Sequence, residues 1–86
     1  MSCLIRKTAG ASTTLIQIHG RLTTEEVADL EDSCLSAEGT LFLDVMNLQF
    51  ADKEGLNAIK RFASEGAQVV GASPYIRLLL DLALVG

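Results

Sequence analysis

Few residues in this 86-residue chain are of the types that carry acid–base, nucleophilic or metal chemistry. Two aspartates could form a carboxylate pair for a metal ion, because Asp44 lies near the end of an apolar run and Asp52 precedes a helical pattern. Asp52 is more simply interpreted as the N-cap of that helix, where its side chain accepts hydrogen bonds from free backbone N–H groups. We therefore expect no metal site.

The sequence also lacks the arrangements that support catalysis or nucleotide binding. Its single histidine is His19, and no serine lies in a GxSxG elbow, so no nucleophile has a visible activating base. Neither a GxxxxGK[ST] loop nor a GxGxxG motif is present. Cys3 and Cys34 lack CxxC spacing and a neighbouring histidine, which favours packing roles over zinc or redox chemistry. We expect a protein that is not an enzyme and binds no cofactor.

Composition indicates one folded domain over residues 1–86. Hydrophobic residues make up 49% of the chain and charged residues 21%, which is enough apolar material for a core. The net charge of −4 and the pI near 4.7 have the wrong sign for holding a nucleic acid backbone. No apolar run reaches the ~20 residues needed to cross a bilayer. Residues 1–7 lack the apolar core of a secretory signal, so we expect a cytoplasmic protein.

Acidic residues follow one another between positions 25 and 44 with no lysine or arginine among them. They are Glu25, Glu26, Asp29, Glu31, Asp32, Glu38 and Asp44. We interpret this run as a solvated face in preference to an electrostatic docking surface. Those in the first turn of a helix also suit the positive end of its dipole.

The first half of the chain predicts two strands, a helix and a third strand. Apolar and β-branched runs at residues 3–7 and 13–19 predict a β-hairpin, because small residues separate them. A capping box of Thr23 and Glu26 predicts a helix over about residues 24–35. The dense apolar run at residues 41–45 is typical of a buried strand, which we place in the middle of the sheet.

The second half predicts a helix, a strand and another helix. After a short apolar stretch at residues 48–51, a helix begins near Asp52 and ends at Gly66, which suits the C′ position. A short strand follows at residues 68–71.

The third helix is indicated by Ser73 as N-cap and Pro74 as first residue. On its exposed side, Arg77 and Asp81 are spaced to pair four residues apart. The element order is then ββαβαβα. This order predicts an α/β domain with a mixed sheet of four to five strands and helices mainly on one face.

The junction at residues 48–56, which reads LQFADKEGL, resembles the corresponding loop of STAS domains, the fold of bacterial anti-sigma factor antagonists. Three other segments are similar to motifs of that family, in the family's order. They are IHGRL at 18–22, LDV at 43–45, and VGASP at 70–74 with the leucines that follow. The resemblance covers about residues 4–84 and implies a non-catalytic domain that binds a protein partner.

In that family the loop before the second helix typically reads Asp-Ser-Ser-Gly or Asp-Ser-Thr-Gly. A partner kinase phosphorylates the hydroxyl residue immediately before the glycine. Here Asp52, Gly55 and Leu56 match the pattern, whereas Lys53 and Glu54 replace the two hydroxyl residues. The resemblance therefore implies a partner-binding loop without its phosphorylation switch.

We predict a partner-binding site, called the 52–57 segment below, made of Asp52, Lys53, Glu54, Gly55, Leu56 and Asn57. Asp52 would cap and shape the loop, and Lys53 and Glu54 would provide charge complementarity. Glycine is poor inside a helix, so Gly55 indicates a close backbone approach.

Glu54 has three interpretations that remain open at this point. A carboxylate in the first helical turn stabilises the helix by ~0.3–1 kcal/mol and needs no further role. As a permanent negative charge, Glu54 could mimic the phosphorylated, partner-released state. It could also pair with a basic residue on a different partner.

The resemblance implies that the partner is an anti-sigma factor with a kinase-like fold or another signalling assembly, in bacterial transcription regulation. One alternative is an accessory subunit of a membrane transport system, in which the same loop contacts an ATPase subunit. Another is a weak nucleotide- or anion-binding domain, because a helix N-terminus and Lys53 can hold a phosphate. The negative charge of Glu54 opposes this last alternative.

Overall fold

A computed structural model describes the backbone of residues 3–85 and the side chains of residues 3–80. The predicted α/β class and the three helices are confirmed. Within the described range the elements are β1 (Cys3–Ala9), β2 (Thr13–Leu22), α1 (Thr24–Leu35), β3 (Thr40–Asp44), β4 (Leu48–Ala51), α2 (Lys53–Ser64), β5 (Gln68–Val70) and α3 (Pro74–Val85).

The five strands form one mixed sheet built around the ten-residue strand β2. β1 pairs with β2 antiparallel, as the predicted hairpin requires. β3 runs parallel to residues 13–17 of β2, and β4 runs parallel to residues 20–22. β5 pairs parallel with the outer side of β3. The apolar run of β3 therefore lies inside the sheet, as predicted.

The sheet contains one strand more than the predicted element order. Residues 48–51 form β4, where we had expected only an apolar stretch. A four-residue run that lies three residues after another strand carries too little periodicity to be distinguished from a loop. Its pairing also extends β2 beyond the predicted end at His19, because Arg21 and Leu22 pair with Phe50 and Ala51.

The helices pack on one face of the sheet around a single core. On β2, Thr14, Ile16 and Ile18 are buried on that face, and the residues between them are half-buried on the other. The core also includes Leu30 and Cys34 of α1, Leu43 of β3, Ala58, Ile59 and Phe62 of α2, and Ile76 of α3. Burying one such large aliphatic side chain stabilises the fold by ~1.5–3 kcal/mol.

Local signals in the sequence set the ends of the later helices. Gly66 follows α2 with a φ of 114°, the left-handed conformation that glycine adopts at C′. The Ser73 hydroxyl oxygen accepts a hydrogen bond from the N–H of Ile76 at 3.2 Å, so the predicted N-cap of α3 is confirmed. The predicted pairing of Arg77 with Asp81 lies outside the described side chains.

All three helices begin at the same end of the sheet. β2, β3, β4 and β5 run parallel, so their carboxyl ends point in one direction. α1 follows β2, α2 follows β4 and α3 follows β5. The 52–57 segment therefore lies at the carboxyl end of a parallel sheet, where α/β folds present free helix N-termini.

Candidate functional site

The side chain of Asp52 joins the N-termini of two helices. Its Oδ1 accepts a hydrogen bond from the N–H of Gly55 at 2.8 Å, which confirms the predicted N-cap of α2. Its Oδ2 accepts hydrogen bonds from the backbone N–H and the hydroxyl of Thr24, at 2.9 and 3.1 Å. Thr24 is the first residue of α1, so one carboxylate serves both helices.

These hydrogen bonds determine the charge state of Asp52. They hold the pKa of its carboxyl below the ordinary value, the bond from the Gly55 N–H being the largest cause. The carboxylate is ionised at neutral pH, and its charge lies at the positive ends of two helix dipoles. The Asp52 carboxylate therefore stabilises the starts of both α1 and α2.

The predicted capping box is present at the start of α1. The Glu26 carboxylate accepts hydrogen bonds from the N–H of Thr23 at 3.1 Å and from its hydroxyl at 2.5 Å. The hydroxyl bond is the largest cause of a lowered pKa at Glu26. The two caps place α1 and α2 side by side, and Arg61 of α2 also forms an ion pair with Glu31 of α1.

Gly55 packs directly against the backbone of β2, which confirms the close approach predicted for it. A Cβ atom at position 55 would lie 2.6 Å from the carbonyl oxygen of Leu22 and 3.0 Å from its Cγ. The same carbonyl oxygen accepts a hydrogen bond from the N–H of Asp52 at 3.0 Å. Only glycine fits here without displacing β2 or α2.

The remaining residues of the 52–57 segment divide into buried and exposed sets. Leu56 is half-buried and packs against the core. Lys53, Glu54 and Asn57 are exposed. The structure thus brings three charged or polar side chains to the surface of the first turns of α2, on a backbone that the other three residues hold in place.

Thr24 is the residue that sequence reasoning missed. Its contact with Asp52 spans 28 positions, and no local pattern indicates it.

Asp44, the other aspartate considered as a metal ligand, takes part in a hydrogen bond that holds a turn. Asp44 accepts a hydrogen bond at Oδ1 from the N–H of Met46 at 2.9 Å, which shapes the turn after β3. Among the described residues, no three His, Cys, Asp or Glu side chains are grouped to hold a metal ion. None of the described helices is long and apolar enough to cross a membrane.

Both cysteines are free thiols with raised pKa values. Cys34 is buried in the core, as its predicted packing role requires, and burial raises its pKa to about 11. Burial is also the largest cause of the raised pKa of Cys3. A thiol that stays protonated at neutral pH is a poor nucleophile.

Comparisons with known proteins connect this fold to one class. No protein-family model matches the sequence, and no curated protein matches it. Solved structures do match. The crystal structure of an anti-sigma factor antagonist, a STAS domain from Rhodobacter sphaeroides, has a TM-score of 0.63 and 19% identity, covering 81% of this chain and 87% of that chain.

A second match is the structure of the anti-sigma factor antagonist SpoIIAA in its unphosphorylated form. Its TM-score is 0.67 at 19% identity, covering 93% of this chain and 82% of that chain. The chain therefore has a STAS-like fold, as the sequence resemblance predicted. A similarity at this level of identity establishes the architecture, and function depends on the site itself.

Proposed function

We propose that this chain is a non-catalytic protein–protein interaction module that binds a regulatory protein through the 52–57 segment. The observation that supports this most directly is that different residues of that segment fix its backbone and form its exposed surface. Asp52 and Gly55 fix the backbone, and Lys53, Glu54 and Asn57 are exposed on it. Exposed charges on a rigid element suit recognition of a partner by electrostatic complementarity.

The fold supports a partner of a particular kind. The two matched structures are described as anti-sigma factor antagonists. We infer that the partner is an anti-sigma factor kinase or a related signalling protein of bacterial transcription regulation. A transport ATPase subunit would use the same surface, so the identity of the captured protein separates these two assignments.

Glu54 gives the proposed interface a permanent negative charge. Its side chain is exposed, and residue 54 directly precedes the buried Gly55. In STAS domains, which the sequence resembles, this is the position of the phosphorylated hydroxyl. Glu54 has no hydroxyl from which a serine or threonine kinase could form a phosphate ester, so we propose that binding here does not depend on phosphorylation at this position. Partner choice would be set by the fixed charges of Lys53 and Glu54.

The hydrogen bonds of Asp52 oppose the nucleotide- or anion-binding alternative. A bound phosphate at the start of α2 would need free backbone N–H groups. The N–H of Gly55 is already donated to Asp52, as is the N–H of Thr24 at the neighbouring helix. We expect calorimetric titration with ATP and with GTP to give no heat of binding.

A pull-down from native lysate, read by mass spectrometry, tests the proposal. Wild type should capture a regulatory protein, and the double variant Lys53→Ala/Asn57→Ala should lose it. Equal capture by wild type and the double variant would overturn the proposal.

In the same pull-down, the variant Glu54→Ser distinguishes the interpretations of Glu54. Its matched control is Glu25→Ser, because Glu25 and Glu54 are both exposed and both the second residue of a helix. If Glu54→Ser captures an anti-sigma kinase and wild type does not, Glu54 acts as a permanent release signal, and the proposal that wild type binds this partner is overturned. If wild type captures its partner and Glu54→Ser loses it, Glu54 pairs with a basic residue of that partner. Equal capture by both would leave Glu54 as a helix-stabilising charge.

A further inference from the structure

One face of the sheet, called the open face below, lies opposite the three helices. Side chains that alternate with the buried residues of β2, together with their partners on neighbouring strands, point to this face. Five of them are apolar: Leu4, Leu15, Phe42, Phe50 and Val70. None of these five packs against the described core residues. The open face therefore carries apolar surface that the fold itself does not use.

The centre of the open face is an apolar pair on the two inner strands. Leu15 of β2 and Phe42 of β3 are partners in the parallel register, so each shields the other and both are half-buried. Leu4 and Val70, on the outer strands β1 and β5, are 54% and 39% exposed. A second apolar surface laid on this pair would remove it from water.

The charge of the open face differs from that of the whole chain. Among the described residues, its ionisable side chains are Arg6, His19, Arg21 and Asp44. Two arginines against one aspartate make this face positive, whereas the chain has a net charge of −4. The acidic residues of α1 lie on the other side of the sheet, because α1 packs on the core face. Two copies of the chain therefore repel each other least across their open faces.

Arg6 and Asp44 are placed on the open face for ionic contacts with another molecule. They flank Gln17, which pairs with both, so their backbones lie about 10 Å apart across two strand spacings. Within the described range, neither side chain forms an ion pair. Asp44 uses Oδ1 to hold the turn at Met46, which leaves its Oδ2 for a partner. Arg21 differs, since its guanidinium lies over the ring of Phe50, 4.5 Å from the centroid.

We propose that the open face binds the open face of a second copy of this chain, forming a weak symmetric dimer. A two-fold axis that runs along the strands between β2 and β3 places Leu15 of each copy on Phe42 of the other. The same axis brings Arg6 of each copy beside Asp44 of the other. Packed sheets lie about 10 Å apart, a gap that an arginine and an aspartate span together.

The size of the open face sets the strength of this dimer. The face has about half of the 20–30 residues that a standard interface contributes on each side, so we expect a Kd of about 100 µM. The 52–57 segment lies at the start of α2, on the helix side of the sheet, and stays exposed in the dimer. Dimer formation is therefore independent of the function proposed for that segment.

Sedimentation equilibrium of the full chain, at concentrations from about 10 µM to about 1 mM, tests the proposal. We expect a monomer–dimer equilibrium. Over the same range, NMR spectra of the ¹⁵N-labelled chain should shift at Leu4, Leu15, Phe42 and Val70, and not at the 52–57 segment. A chain that stays monomeric throughout, or concentration-dependent shifts confined to the helices, would overturn the proposal. Binding of poly-glutamate to the open face without self-association would also overturn it, and would assign the face to an acidic partner.

Charge-swapped variants test the ionic contact. Arg6→Glu and Asp44→Lys should each raise the Kd by about tenfold or more, because each sets like charges against each other twice in the dimer. An equimolar mixture of the two variants should dimerise again, since the mixed dimer restores opposite charges at both contacts. Lys7→Glu is the matched control for Arg6→Glu, because Lys7 is the next residue of β1 and its side chain bonds Ser36 on the helix side. Equal weakening by Lys7→Glu, or a mixture of folded variants that stays monomeric, would overturn the proposal.

A third variant tests the apolar contact independently of charge and of the turn that Asp44 holds. Phe42→Thr removes the ring but keeps a residue that favours strands. It should abolish dimerisation with an unchanged circular dichroism spectrum. A dimer that persists in Phe42→Thr would overturn the proposal.

Discussion

The Asp52 carboxylate accepts hydrogen bonds from both the N–H and the hydroxyl of Thr24, although the two residues are 28 positions apart. The contact is possible because β2 and β4 run parallel and end side by side, with Leu22 paired to Ala51. Each strand leads into a helix within two residues. One side chain therefore fixes α1 and α2 relative to each other and determines where the 52–57 segment is presented.

Asp52→Ala should lower the free energy of unfolding by about 2 kcal/mol or more. The substitution removes the N-cap of α2 and the acceptor for the N–H and hydroxyl of Thr24 at the start of α1, and the loss of one N-cap typically costs about 1 kcal/mol. Urea denaturation followed by circular dichroism measures the change. The control is Asp29→Ala, which alters an exposed aspartate on α1 and should change stability by less than ~0.5 kcal/mol. Equal losses in the two variants would contradict the double cap.

Stability should fall in acid because of Asp52 and Glu26. Both carboxyls have a lowered pKa in the folded state. Their stabilisation is therefore fully present above the ordinary carboxyl pKa of about 4 and is lost as the pH falls through the lowered values. The double variant Asp52→Asn/Glu26→Gln should show a flatter decline in the free energy of unfolding between neutral and acidic pH. An unchanged decline would show that other carboxyls cause it.

Gly55→Ala separates packing from helix propensity. Propensity alone predicts that alanine stabilises this helical position by ~0.5–1 kcal/mol. The new Cβ would lie 2.6 Å from the carbonyl oxygen of Leu22, so we expect a destabilisation of ~1–3 kcal/mol instead. Thermal and urea denaturation show whether the free energy of unfolding rises or falls. Asn57→Ala, at an exposed position of the same helix, should be neutral or slightly stabilising.

Leu43→Ala tests the position of β3 inside the sheet. Leu43 is fully buried, so its truncation should cost ~2–5 kcal/mol through lost burial and the cavity left behind. Leu4→Ala is the control, because Leu4 on β1 is 54% exposed. Comparable losses in urea denaturation would mean that Leu43 does not occupy a packed core position.

The sequence predicts those parts of the fold that have local signals. The capping box at Thr23, the N-cap at Ser73 and the helix stop at Gly66 each lie within a few residues of the structure that they specify. β4 was not predicted, because a run of four residues is too short to show the alternation of apolar and polar residues that is typical of a strand. The link between Asp52 and Thr24 depends on strand pairing across the chain, which no local pattern records.

In the candidate site too, only the features with a local signal in the sequence could be predicted. The cap at Asp52 and the close approach at Gly55 follow from residue type and position at a helix start. Which residue Gly55 approaches could not be predicted, since Leu22 lies on a distant strand. The open face is likewise formed by residues from separate strands, whose order in the sheet cannot be predicted from their own sequences.

Glu54→Ser should leave folding nearly intact and create a site for phosphorylation. Glu54 is exposed, so its loss should remove only the interaction of a carboxylate with the helix dipole, ~0.3–1 kcal/mol. With an anti-sigma factor kinase and ATP, intact-mass spectrometry should detect one added phosphate on this variant and none on wild type. Glu25→Ser places a serine at the equivalent position of α1 and should stay unmodified. Unfolding of Glu54→Ser would instead identify Glu54 as a structural residue, and equal modification of Glu25→Ser would show that the kinase does not recognise the 52–57 segment.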